Sequence, residues 1–114
     1  MDAKNIFIAS GRYLKYIQWV PGDRTEWHYV GVGDDYDENK VDAFIQCHFG
    51  TVELFLVLDR HRVQICQAAN AAPVIGLLFS ENGLTVCNRD FTKMMVFKKI
   101  GVMKYGERHD SPLH

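Results

Sequence analysis

Val41-Asp42-Ala43-Phe44-Ile45-Gln46-Cys47-His48-Phe49-Gly50, followed after Thr51 by Val52-Glu53-Leu54-Phe55-Leu56-Val57-Leu58, sets the class of this 114-residue chain. In the first part Val41, Phe44, Ile45, His48 and Phe49 recur at i, i+3, i+4, i+7 and i+8, one stripe of a 3.6-residue period. Asp35 and Glu38 stand three apart ahead of it, the spacing of a capping box. Gly50 can take the left-handed C′ conformation that ends a helix. The spacing predicts a helix over 36–49. The second part is almost continuously apolar, as a strand buried on both faces must be.

Downstream, Asp59-Arg60-His61-Arg62 reads as a polar turn and Val63 to Gln67 as an alternating strand with one wet face. Val74 to Phe79 reads as a further strand, Asn82-Gly83 as a hairpin turn and Leu84 to Cys87 as the returning strand. Together they suggest a meander of about four strands after the helix. Upstream, Tyr13 to Val20 and Thr25 to Val32 flank Val20-Pro21-Gly22-Asp23, the chemistry of a type II turn. An antiparallel hairpin there would bring Trp19 near Trp27. Near the C-terminus two patterns compete over the same residues. Asp90 suits a helix cap with Phe91, Met94, Met95 and Val102 on one face, whereas Lys93 to Ile100 also suits a strand. Methionine and lysine favour helix on propensity. Residues 107–114 read as a frayed tail. The expected architecture is a single α+β domain over 1–114. It has an antiparallel sheet of about five to six strands, a helix at 36–49 and a second helix near the C-terminus.

Composition narrows the class further. Apolar residues are 47% and charged residues 24%, near the averages of globular domains, which excludes a disordered chain, a collagen and a coiled-coil rod. The chain is long enough to bury a core without a metal or a disulfide. Ile6-Phe7-Ile8-Ala9 is too short for a signal-peptide core, and the longest apolar run, Ala71 to Phe79, is broken by Pro73 and Gly76. Cys47, Cys66 and Cys87 are odd in number and form no CxxC pair, so neither a zinc ribbon nor a thioredoxin-type site is supported. Cys66 and Cys87 read as small buried hydrophobes. The expected compartment is the cytoplasm, with no membrane partner.

The net charge of -1 conceals a segregation. Residues 34–59 hold Lys40 against seven carboxylates, net -6, whereas residues 60–114 hold eight bases against four acids, net +4. Asp34, Asp35, Asp37 and Glu38 lie within five residues around Tyr36, and Asp42 follows a turn later. Acids at a helix N-terminus are stabilised by the macrodipole. One cap and one or two acids satisfy a helix start, however, and four acids in one turn repel one another. A cationic counterpart, internal or external, would relieve that repulsion.

Known chemical motifs fail on this chain. Gly31-Val32-Gly33 is a fragment of a phosphate loop followed by Asp34 and Asp35, which would repel phosphate. Asp35-Tyr36-Asp37-Glu38-Asn39 opens like a calcium loop, but Lys40 stands where glycine is needed and Gln46 where the bidentate glutamate belongs. Cys47 and His48 are adjacent, so in a helix they point about 100° apart and cannot act as a nucleophile–base pair. No catalytic residue, metal ligand or cofactor is expected.

The residues therefore suggest a cytoplasmic binding and neutralising protein, immunity- or antitoxin-like. Its surface of Asp34, Asp35, Tyr36, Asp37, Glu38 and Asp42 would block the cationic site of a basic partner such as a nuclease toxin. Carboxylates would stand where phosphates go, and Tyr36 would be an aromatic anchor. Two other classes stay open. One is a small enzyme or ligand-binding domain with a pocket of Trp19, Trp27, His28 and Tyr29. The other is a nucleic-acid accessory protein using Arg89, Lys93, Lys98, Lys99, Lys104 and Arg108, but the near-neutral net charge and the acidic block speak against it, so nucleic acid is not the expected partner.

Overall fold

Asp2 accepts a hydrogen bond from the backbone N–H of Asn5 at 2.9 Å and so caps α1 (Ala3–Leu14). The apolar stripe of α1, Ile6, Ala9 and Tyr13, faces the rest of the molecule. This helix and the short β1 (Ile17–Trp19) after it replace the strand expected over Tyr13 to Val20. The computed structural model describes residues 2–20 and 27–108, without the side chains of 79–82. The expected turn at Pro21-Gly22 lies outside the described residues, and β2 (His28–Tyr29) is what remains of the second expected strand.

A 3-10 turn (Gly33–Asp35) leads into α2 (Glu38–His48), close to the expected span. The cap is Asp37, whose carboxylate accepts from the N–H of Lys40 at 3.0 Å, so the expected capping box of Asp35 with Glu38 does not form. Gly50 takes φ +74° beyond the helix, as its position implied. The buried strand appears as β3 (Glu53–Val57), and the alternating segment is the edge strand β4 (Val63–Gln67), which is not one-sided as expected: Ile65 is exposed, and Val63 and Cys66 are half-buried on opposite faces. Between them Asp59 accepts from the N–H groups of His61 and Arg62 and closes the turn.

The segment expected to be a strand over Val74 to Phe79 belongs instead to α3 (Ala68–Asn82). Ala68, Ala71, Ala72 and Ile75 are buried at i, i+3, i+4 and i+7, and Pro73 sits on the exposed side. Burial of that stripe outweighs the missing N–H of Pro73. Asn82-Gly83 consequently ends a helix rather than turning a hairpin, with Gly83 at φ +85° leading into β5 (Leu84–Asn88).

The expected C-terminal helix is absent too. Its residues form the hairpin of β6 (Lys93–Lys98) and β7 (Val102–Arg108), turning at Gly101 with φ +95°. Met94 and Met95 are both fully buried but in different cores, one on each side of the sheet, which a single helix face cannot do. Glu107 and Arg108 are paired with Gln18 and Ile17 and so belong to the sheet and not to the expected tail, the rest of which lies outside the described residues.

The sheet runs in the order β1-β7-β6-β5-β3-β4 with every pairing antiparallel, and β2 pairs with β7 beside β1. The protein is α+β, with six to seven strands and, among the described residues, three α-helices. Leu54, Leu56, Val86, Met95, Phe97, Met103 and Tyr105 pack under α2 and α3 on one face. Phe55, Val57, Cys87 and Met94 pack under α1 on the other. No described helix is long and apolar enough to cross a membrane.

Candidate functional site

The acidic segment is held rigidly by its own flanks. The N–H groups of Val30 and Gly31 both donate to the carbonyl of Gly101, at 2.8 and 2.9 Å. The N–H of Asp37 donates to the carbonyl of Val30 at 2.8 Å. Gly31, at φ +76°, must be glycine, because a Cβ there would overlap the carbonyl of Asp35. The amide of Gly31 is thereby engaged, and Asp34 and Asp35 stand exposed beside the glycine fragment, where they would repel a phosphate.

Tyr36 is turned inward. Its hydroxyl donates to the carbonyl of Ala72 at 2.6 Å, and its ring lies against Gly76 of α3. Burial first, then the carboxylates of Glu38, Asp37 and Asp42, push its hydroxyl above the ordinary tyrosine range, so it stays a proton donor. The expected exposed aromatic anchor is thus an internal strut that pins the acidic turn to α3. Asp34, Asp35, Asp37 and Glu38 are exposed and Asp42 is half-buried. Asp37 is committed to capping, and Asp42 accepts a long 3.5 Å contact from Gln46. Lys40 turns away and donates to the carbonyl of Tyr29 at 2.6 Å. Among the described residues the salt bridges are Arg62–Asp59 and Arg89–Glu53, so none of these five carboxylates is neutralised by a described cation of the chain.

The expected pocket of Trp19, Trp27, His28 and Tyr29 is divided by the sheet. His28 faces α2, its ring edge-on to Phe44 at 5.3 Å. Trp27 and Trp19 lie on the α1 face, where the ammonium of Lys104 sits 4.9 and 4.1 Å from their ring centroids. β1 and β2 pair one after the other along β7 and not with each other, so the expected hairpin does not form, and the two indoles are related only through this shared cation. Beyond His28, the ring of Phe44 meets His48 at 4.3 Å, His48 meets Tyr105 at 4.3 Å, and the hydroxyl of Tyr105 donates to Glu107 at 2.9 Å. Burial lowers the pKa of His48 below its ordinary 6.5; Glu107 opposes that shift, and Lys93 and His28 reinforce it. Cys47 is exposed beside this stack, and His48 is engaged in it, so the two form no dyad. Among the described residues no group of three or more His, Cys, Asp or Glu could hold a metal ion.

No family model, curated protein or solved structure matches this chain. The site therefore has to be read from its own chemistry. The expected basic face does not exist as one helix surface. Arg89 pairs with Glu53, Lys93 donates to the carbonyl of His48 on the α2 side, and Arg108 lies over Tyr13. Lys98 and Lys99 remain exposed at the β6–β7 turn. Their grouping with the two indoles escaped the linear pattern because it follows from strand pairing. The alternation Val102, Lys104, Gly106, Arg108 on β7 was the available signal.

Proposed function

We propose that this protein is a binding protein that presents Asp34, Asp35 and Glu38 to a basic partner and occupies its cationic site. The observation that supports the reading is a set of exposed carboxylates with no salt bridge to any described residue, on a turn locked by Tyr36 and Gly31. Such a surface loses little conformational freedom on binding, because its backbone is already fixed. Its field steers a cationic partner and raises the association rate. A nuclease, whose site is cationic because it holds phosphates, is the partner class that fits best, and blocking it makes the chain a neutralising inhibitor.

Asp34→Lys plus Asp35→Lys is the informative variant, since neither side chain makes a described hydrogen bond and the cap at Asp37 is left intact. Wild type and variant, matched for folding by circular dichroism, are immobilised and exposed to lysate of the source cells. A basic protein retained by wild type, eluted by salt, lost in the variant and inhibited in nuclease activity by the free chain is expected. Retention untouched by the double reversal overturns the acidic-surface mechanism.

A further inference from the structure

The two faces of the sheet are covered unequally. Six strands about 4.8 Å apart span roughly 24 Å, and one helix with its side chains covers about 10–12 Å. Two helices cover one face, but α1 alone serves the other, and it packs toward β3 and β4. No described helix covers the end of that face over β6, β7 and β2. Two adjoining recesses lie there, of about 640 and 380 Å³, sharing Trp27 and Lys98. The larger is completed by Lys99, Ile100 and Val102. The smaller takes in Trp19, Lys104 and, from the end of α1, Lys15.

The lining chooses the occupant. Four ammonium groups and no described carboxylate exclude a cationic ligand. A purely apolar ligand would leave the ammonium groups of Lys15, Lys98 and Lys99 unused, and an acidic peptide has no systematic use for flat indole faces. A duplex keeps its bases stacked inside, out of reach. Planar rings joined by phosphates satisfy both halves of the lining, and stacking of bases on sheet-borne aromatics with lysines along the backbone is how single strands are held. We propose that this end of the α1 face binds single-stranded nucleic acid. Trp27 stacks a base, Lys15, Lys98 and Lys99 follow the phosphates, and Lys104 fixes the facing of the two indoles. Its rim at the β6–β7 turn is joined to the acidic turn by the bonds of Val30 and Gly31 to the carbonyl of Gly101, but the site uses none of the acidic side chains and does not depend on the function proposed above.

The chain contains two tryptophans and both are in the site, so its whole indole emission reports occupancy. The test titrates the intact protein at low salt with an eight-nucleotide single strand, a nucleoside monophosphate, heparin and a short duplex. Saturable quenching by the single strand is expected. Its affinity should fall with salt at a log–log slope near -2, about 0.7 per phosphate neutralised by three lysines. Lys98→Glu plus Lys99→Glu, in an exposed turn, should weaken binding at least tenfold. Trp27→Leu should weaken the single strand severalfold without affecting heparin, and Asp34→Lys plus Asp35→Lys should not weaken it. Three results overturn the proposal. One is no saturable quenching. A second is heparin or duplex binding as tightly as the strand with Trp27→Leu silent, which leaves a surface that reads charge alone. The third is a monophosphate binding as tightly as the strand, which assigns the recess to free nucleotides.

Discussion

Gly76→Ala replaces a helix-interior glycine by the best helix former and on propensity alone should stabilise the protein by about 1 kcal/mol. The packing around α3 reverses that sign. A Cβ at residue 76 would stand 2.5 Å from Cε2 and 2.6 Å from Cδ2 of Tyr36. Carbon atoms pack at about 3.5–4.0 Å, so the ring must retreat by roughly 1 Å. The ring cannot do so freely, because its hydroxyl is anchored on the carbonyl of Ala72 at 2.6 Å. Overpacking costs about 1–3 kcal/mol and a weakened hydrogen bond about 0.5–1.5 kcal/mol, leaving a net loss of about 0.5–3.5 kcal/mol after the propensity gain of about 1 kcal/mol. Urea unfolding followed by circular dichroism measures it. The same change in a Tyr36→Ala background should be neutral or stabilising, because the clash is gone. Equal effects in the two backgrounds would show that Tyr36 and Gly76 are not coupled, and the account of how the acidic turn is held would be wrong.

Asp37→Ala removes the cap of α2 and should cost about 1 kcal/mol in urea unfolding, whereas Asp35→Ala should stay within about 0.5 kcal/mol. Burial holds the folded pKa of His48 below 6.5, so the unfolded chain binds its proton more readily. The contribution of His48 is therefore complete above pH 6.5 and lost as pH falls below it, and His48→Gln should flatten the pH dependence of urea midpoints on the acid side. Cys87 is fully buried, and burial pushes its thiol up to about 12, whereas Cys47 is exposed. A thiol reagent at pH 8 should label Cys47 at once and Cys87 only after denaturant is added.

Periodicity was legible where one face of an element is buried and its flanks carry their own punctuation. Val41, Phe44, Ile45 and Phe49 show α2 because the opposite side is wet and Gly50 ends it. Phe55 and Leu56 show β3 because its two faces meet different cores. The same logic was available for α3 in Ala68, Ala71, Ala72 and Ile75, but Pro73 and the β-branched Val74 and Ile75 masked it. In β6 and the turn after it the helix propensity of Met94, Met95, Lys98 and Lys99 pointed the wrong way. Local propensity differences of tenths of a kcal/mol per residue cannot outweigh burial of methionine side chains on both sides of a sheet.

For the candidate site, the sequence alone determined that carboxylates crowd the start of α2 and that bases crowd the C-terminal half, since charge is a property of the residues themselves. Only the tertiary structure decided that Tyr36 turns inward, that Asp37 serves the helix, and that His28 parts company with Trp27. Strand pairing and helix packing fix which side chains share a face, and those contacts join residues tens of positions apart in the chain. Trp27, Lys98 and Lys15 meet because β2 and β6 flank β7 and α1 stops short of them, a relation no local window contains.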